Sequence, residues 1–208
     1  MIPQANPVDG RVQRRLESMR RAQDAALQLF EKRGFDAVTV EDVARAADQG
    51  VASLFRNFGT KEALVLWDEY DPLLFESVSK HLATKSPLEA LSAGVREALG
   101  SIYEHDRKRV LRRADLMATT PALMLASRAN LHPLREGLSA VLASKVKDPL
   151  ERELLGAVFG ATLEVAVEHW RKEKGRRPLN TILQRAFTQV GKLGARARRR
   201  SRGETAVQ

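Results

Sequence analysis

The amino-acid sequence predicts an all-α fold, a three-helix head at the N-terminus followed by a larger helical body. Three observations predict it. Apolar residues recur at helical spacing along most of the chain, with no alternation of strands and helices. Between Thr39 and Phe58, two short helical patterns flank a tight turn, the layout of a helix-turn-helix. Two long, broadly apolar segments, opened by Pro149 and Pro178, close the chain.

Composition narrows the function classes. None of the 208 residues is cysteine, which excludes disulfide frameworks and any cysteine-based metal or nucleophile site. No apolar run approaches bilayer-spanning length, and the start MIPQANPVDG lacks the charged and apolar regions of a signal peptide. A cytoplasmic protein with no membrane partner is therefore expected. The net charge of +9 suits an anionic partner, but much of it lies in Arg171–Arg177 and Arg196–Arg202. Charge is thus weak support for nucleic-acid binding.

Residues 1–10, with two prolines and a glycine, read as a flexible arm, either lying along a minor groove or simply solvated. From Arg11 to Arg33, Leu16, Met19, Ala22, Ala26, Leu29 and Phe30 form one helical stripe that Gly34 terminates. Arg14, Arg15 and Arg21 on this helix either reach phosphates or are solvated. Thr39 caps a short helix with Asp42 three residues on, and Val40, Val43, Ala44 and Ala47 form its apolar face. Asp48, Gln49 and Gly50 make the turn, with Gly50 free to take a positive φ. A second short helix follows, with Val51, Leu54, Phe55 and Phe58 on one side and Ser53, Arg56 and Asn57 largely on the other.

This stretch, with Phe35 before it and Gly59-Thr60-Lys61-Glu62-Ala63-Leu64 after it, resembles the N-terminal domain of the TetR family of transcriptional repressors. Thr39-Val40, Val43-Ala44, Ala47, Leu54, Arg56, Phe58, Lys61-Glu62 and Leu64 fit the family pattern without a gap. The departures are Asp48 for glycine, Gln49 for valine, Gly50 for the capping serine, Ser53 for threonine and Phe55 for a tyrosine that commonly touches phosphate. The resemblance implies a helix-turn-helix DNA-binding domain over 11–66 and a helical ligand-binding and dimerisation domain over 67–194; the arginine-rich, then polar composition of 195–208 reads as a basic disordered tail.

The second short helix is expected to enter the major groove. Val51 or Ala52 can meet a thymine methyl, Ser53 can bond most bases, and Gln49 can pair with adenine if the turn points it inward. Thr39, Arg56, Asn57 and Lys61 are candidates for phosphate or base contact. Arg45, Gly50 and Phe55 complete the DNA-facing set. Lys61 sits in a first helical turn, against the helix dipole, and a phosphate partner would explain it.

In the body, a long helix from Lys61 to about Ala83 is interrupted by Pro72, which kinks or splits it. A helix runs from Ser86-Pro87 to about His105. The basic stretch from Arg107 to Arg113 reads as the solvated side of an amphipathic helix, or as a second nucleic-acid patch. Pro121 opens another helix, and Pro133 bends it or starts the next. Trp67, Tyr70, Phe75, Met117, Met124, Leu125 and Phe159 are candidates for an apolar ligand pocket, against plain core. Leu155, Phe159, Leu163, Trp170, Leu183, Phe187 and Val190, on the last two helices, are candidates for a dimer interface, against an intramolecular core.

The expected partners are a double-stranded DNA operator, a second copy of the chain and a small-molecule effector. No phosphate-gripping glycine loop occurs, and His81, His105, His132 and His169 are scattered, so no cofactor, metal site or catalytic residue is assigned. His105 beside Glu104 and Asp106 is the weak exception. The rival readings are a helical protein that binds nucleic acid without sequence preference, and an all-helical enzyme.

Overall fold

The computed structural model describes residues 7–100 and 106–204, and its elements are all α-helices. In chain order these are α1 (Pro7–Arg33), α2 (Val40–Ala46), α3 (Val51–Phe58), α4 (Lys61–Leu66) and α5 (Asp71–Leu82). There follow α6 (Pro87–Gly100), α7 (Arg107–Thr119), α8 (Pro121–Leu142), α9 (Pro149–Lys172) and α10 (Leu179–Glu204). The chain divides into two compact units, residues 1–69 with 112–129, and residues 70–111 with 130–208.

Several boundaries follow their sequence signals. Thr39 forms a full capping box with Asp42, the hydroxyl accepting from the Asp42 N–H at 3.1 Å and the carboxylate from the Thr39 N–H at 3.2 Å. Pro72 lies in the first turn of α5, where a missing N–H costs nothing. The expected long helix is accordingly split into α4 and α5. Pro133, by contrast, falls within a continuous α8. The helix expected to reach His105 is described as far as Gly100, and residues 101–105 lie outside the described residues. At the termini, α1 begins at Pro7, within the expected arm, and α10 continues through Glu204, across most of the tail expected to be disordered. Residues 1–6 and 205–208 lie outside the described residues, as does the side chain of His132.

The first unit closes over Ala22, Ala26, Leu27, Phe30, Phe35, Val38, Val43, Leu54, Leu64 and Val65, joined by Leu116 and Leu123. A buried polar side chain of this unit holds a helix end. Gln23, itself buried, donates to the carbonyls of Leu64 (3.0 Å) and Trp67 (2.9 Å), tying the end of α4 to α1.

The second unit packs α5 directly on α6. A Cβ added at Gly94 would sit 2.9 Å from the Val78 backbone, so only glycine allows this approach. Leu74, Val78, Leu91, Val95 and Leu99 meet Leu138, Phe159, Ala166, Trp170, Leu183 and Phe187 in one core. The Trp170 indole donates to the Arg177 carbonyl at 2.9 Å, closing the turn between α9 and α10.

Near the end of α9, Glu168 accepts from Arg171 at 2.7 and 2.8 Å, with Lys172 3.4 Å away. The Arg171 hydrogen bonds pull its carboxyl down to about 2 against a competing desolvation. A folded-state value below the unfolded one gives stability that is present above about pH 4.5 and lost as pH falls toward 2. The Glu168→Gln variant is therefore expected to melt below the parent at pH 6. The gap should close between pH 4.5 and 2 in thermal scans.

Candidate nucleic-acid interface

The turn between α2 and α3 is built differently from its sequence expectation. Gly50 is the N-cap of α3 at φ −74°, in extended backbone, and the positive φ falls on Asp48 at 54°. Aspartate tolerates this left-handed position better than most side chains. Gln49, between them, reaches back to α1. Its amide donates to the Ser18 carbonyl at 2.8 Å and its oxygen accepts from the Ser18 hydroxyl at 3.0 Å. Both ends of the amide are occupied, so in this arrangement Gln49 clamps the turn to α1 and has no free edge for adenine.

Helix α3 buries Leu54 and half-buries Val51 and Phe58 against the core of the first unit. Phe58 meets Trp67 edge-on at 5.9 Å. Its polar side faces α1, where Arg15, Ser18, Ser53, Arg56 and Asn57 line a cleft of about 360 Å³. The Arg15 guanidinium donates to the Asn57 amide oxygen at 3.2 Å, and Arg56 donates to the Ser53 hydroxyl at 3.0 Å. Ala52, Phe55 and Arg56 are exposed.

Around the helix, Thr39 keeps a hydroxyl proton to offer an outside acceptor. Arg45 is 78% exposed and leans on Asp42 at 3.3 Å. The Thr39 backbone N–H holds the Asp42 carboxyl below its usual range, with Arg33 at 3.1 Å and Arg45 adding to this.

Lys61 is placed otherwise than expected. Its ammonium donates to the carbonyls of Phe35 (2.7 Å) and Val38 (2.9 Å) and lies 4.2 Å from the centre of the Phe35 ring. These carbonyls belong to the α1–α2 connection, so the lysine ties that loop to the start of α4. Its position against the helix dipole thus has an intramolecular explanation. Lys61→Met is expected to destabilise the protein by about 1–3 kcal/mol, because two carbonyls lose a charged donor. Chemical denaturation checks it, and an unchanged midpoint would leave phosphate contact as the residue's main role.

The remaining sequence candidates are distributed between the units. Trp67, Met117, Met124 and Leu125 belong to the first, and Tyr70, Phe75 and Phe159 to the second. Leu125 is 73% exposed and Met124 42%, so these two are surface residues rather than cavity walls. Trp67 is half-buried, its carbonyl accepting from Arg113 at 3.0 Å. Tyr70 is buried, with its hydroxyl hydrogen-bonded to the Asp106 carboxylate and Arg109 3.4 Å away. Phe75 lies under Gly137, where an added Cβ would be 2.4 Å from the ring. Phe159 is fully buried, 5.7 Å from the Phe187 ring.

The interface candidates need a larger correction. Phe159, Trp170, Leu183 and Phe187 are core residues of the second unit, and Leu155 and Leu163 pack against them half-buried. Val190 is half-buried as well. What α9 leaves outside is its opposite face, Leu150, Leu154, Val158 and Val165, at 62, 56, 38 and 54% exposure. Ala161 lies between them, also exposed, and Leu193 on α10 is 64% exposed. The sequence could not choose the side of an apolar helix that turns inward. The large aromatics went in, where they bury most area.

Among the described residues, no group of His, Asp and Glu is arranged to hold a metal ion, and no helix is long and apolar enough to cross a membrane.

Comparison with known proteins agrees with this geometry. Residues 23–66 match the model of bacterial regulatory proteins of the tetR family, and residues 85–193 match the MftR C-terminal domain. The "Putative mycofactocin biosynthesis transcriptional regulator MftR" of Mycobacterium tuberculosis is 27% identical over 192 residues. That alignment covers 89% of this chain and 96% of the relative. The transcriptional repressor KstR2 of Rhodococcus jostii is 28% identical over 205 residues, covering 90% and 94%. Among solved structures, the fold is shared with Thermus thermophilus FadR, a TetR-family repressor in complex with lauroyl-CoA. Its TM-score is 0.52 at 24% identity, covering 82% of this chain and 91% of that one. With a head matched across its helix-turn-helix and a body matched over more than half of the chain, this protein belongs to the TetR family of bacterial regulatory proteins and is a DNA-binding transcriptional regulator.

Proposed function

We propose that the protein is a cytoplasmic repressor that works by binding rather than turnover. As a two-fold dimer it places two copies of α3 in successive major grooves of a pseudo-palindromic operator. A small molecule bound in the helical body favours a conformation whose heads no longer fit the DNA. The observation that carries the dimer is the outward apolar line of α9, Leu150, Leu154, Val158 and Val165. Five positions including Ala161 fall on one narrow stripe of a single helix, a pattern that a lone protomer leaves in water. Two copies related by a two-fold axis cover it with itself, and Ala157 and Ala161 let the backbones approach closely.

In this reading Thr39, Arg45, Arg56 and Asn57 meet the DNA backbone, while Val51, Ala52, Ser53 and Phe55 face the groove, with Gly50 at the mouth of α3. Binding selection on random duplexes at physiological salt tests it. Enrichment of one inverted repeat supports a sequence-reading dimer. Uniform, salt-sensitive recovery of all sequences would overturn it in favour of non-specific binding. On the enriched site, Arg56→Ala is expected to weaken binding and reduce the slope of log K against log salt by about one unit.

A further inference from the structure

The neutral side-chain acceptors that the turn and α3 could offer a base, the oxygens of Gln49, Ser53 and Asn57, are engaged within the head. Gln49 is held at both ends by Ser18. The Asn57 oxygen accepts from Arg15, and the Ser53 hydroxyl accepts from Arg56. These groups occupy the sector of α3 turned toward α1, around the cleft they share with Arg15 and Ser18. The adjoining sector is apolar. Val51, Ala52 and Phe55 stand at i, i+1 and i+4, so they are contiguous on the helix surface. Phe55 leaves 49% of its surface in water, Ala52 is exposed and Val51 is half-buried.

An exposed phenyl ring has no donor or acceptor to offer, and in the major groove the apolar group on a base edge is the C5-methyl of thymine. Cations flank the patch, Arg56 on the same helix and Arg45 on the preceding one, as an anionic duplex requires. We infer that this protein reads its half-site chiefly through thymine methyl groups, with Phe55, supported by Ala52 and Val51, as the specificity-determining surface. The inference rests on α3 being the major-groove helix, and it deepens that reading by naming the chemical feature that is read. The absence of a hydroxyl at Phe55 then has a consequence: the ring gives up a polar tip and presents its edge to a methyl.

The test starts from the duplex enriched in the selection described above. Each thymine of the half-site is replaced in turn by deoxyuridine, which deletes the C5-methyl and leaves Watson–Crick pairing intact, and affinity is measured at fixed salt. One or two positions per half-site are expected to lose about fourfold each, the worth of one buried methyl, and about fifteenfold when both half-sites are substituted. Phe55→Ala is expected to bind thymine and deoxyuridine duplexes alike at those positions, at an unchanged melting temperature. Equal binding of both duplexes by the parent overturns the inference while leaving the operator reading in place. So does full discrimination by Phe55→Ala. Failure of the selection to enrich any sequence would instead remove the reading on which it rests.

Discussion

Val158→Glu is expected to convert the protein from a dimer to a folded monomer and to lower operator affinity by about 10²–10⁴-fold. The side chain sits on the outward line of α9 and makes no part of the second unit's core. A carboxylate there costs a lone protomer little. In a two-fold dimer it is buried twice, and a buried, unpaired charge is among the most expensive substitutions an interface can take. The affinity loss follows from geometry. With the heads unlinked, each half-site is bound separately, and the effective concentration that one bound head provides to the other disappears. Light scattering at micromolar concentration and titration of the enriched duplex measure the two effects together. A dimer that survives both Val158→Glu and Leu154→Glu would show that this face is not the interface.

Trp170→Ala should do the opposite, destabilising the protomer by about 3–5 kcal/mol without acting through assembly. The indole is 1% exposed, and its N–H satisfies the Arg177 carbonyl. Truncation opens a large cavity at the point where α9 turns into α10 and strips that carbonyl of its donor. For a chain of this size the melting temperature should fall by roughly 10 °C or more. Trp170→Phe, which keeps most of the volume and loses the N–H, is expected to cost about 1–2 kcal/mol. The contrast is diagnostic. Had Trp170 been an interface residue, alanine would have produced a monomer of near-parent stability.

Local signals carried much of this molecule. Thr39 with Asp42 three residues later, Pro72, Pro87, Pro121 and Pro149 each act through backbone groups within one helical turn. The structure put helix boundaries at or next to all of them. The match from Thr39 to Leu64 was legible for the same reason, because a helix-turn-helix is a short, nearly contiguous unit whose geometry depends on neighbours in sequence. Even there the local rules assigned the wrong residue to the left-handed position, Gly50 instead of Asp48. Glycine permits a positive φ but does not require one.

What only the tertiary structure decided were the partners of long side chains and the inward side of apolar helices. Lys61 finds the carbonyls of Phe35 and Val38, and Gln49 finds Ser18, both more than twenty residues away. No spacing rule reaches across that separation. Likewise, α9 is apolar around much of its circumference, so periodicity could not say whether Phe159 and Trp170 or Leu154 and Val158 faced inward. Packing against α6 and α10 settled it, since burying two large aromatic rings removes more apolar surface from water than burying a leucine and a valine. Sequence by itself thus determined that the chain is helical, where its helices begin and what its head resembles. The fold determined which side chains remain outside, and those are the ones available to DNA and to a second copy.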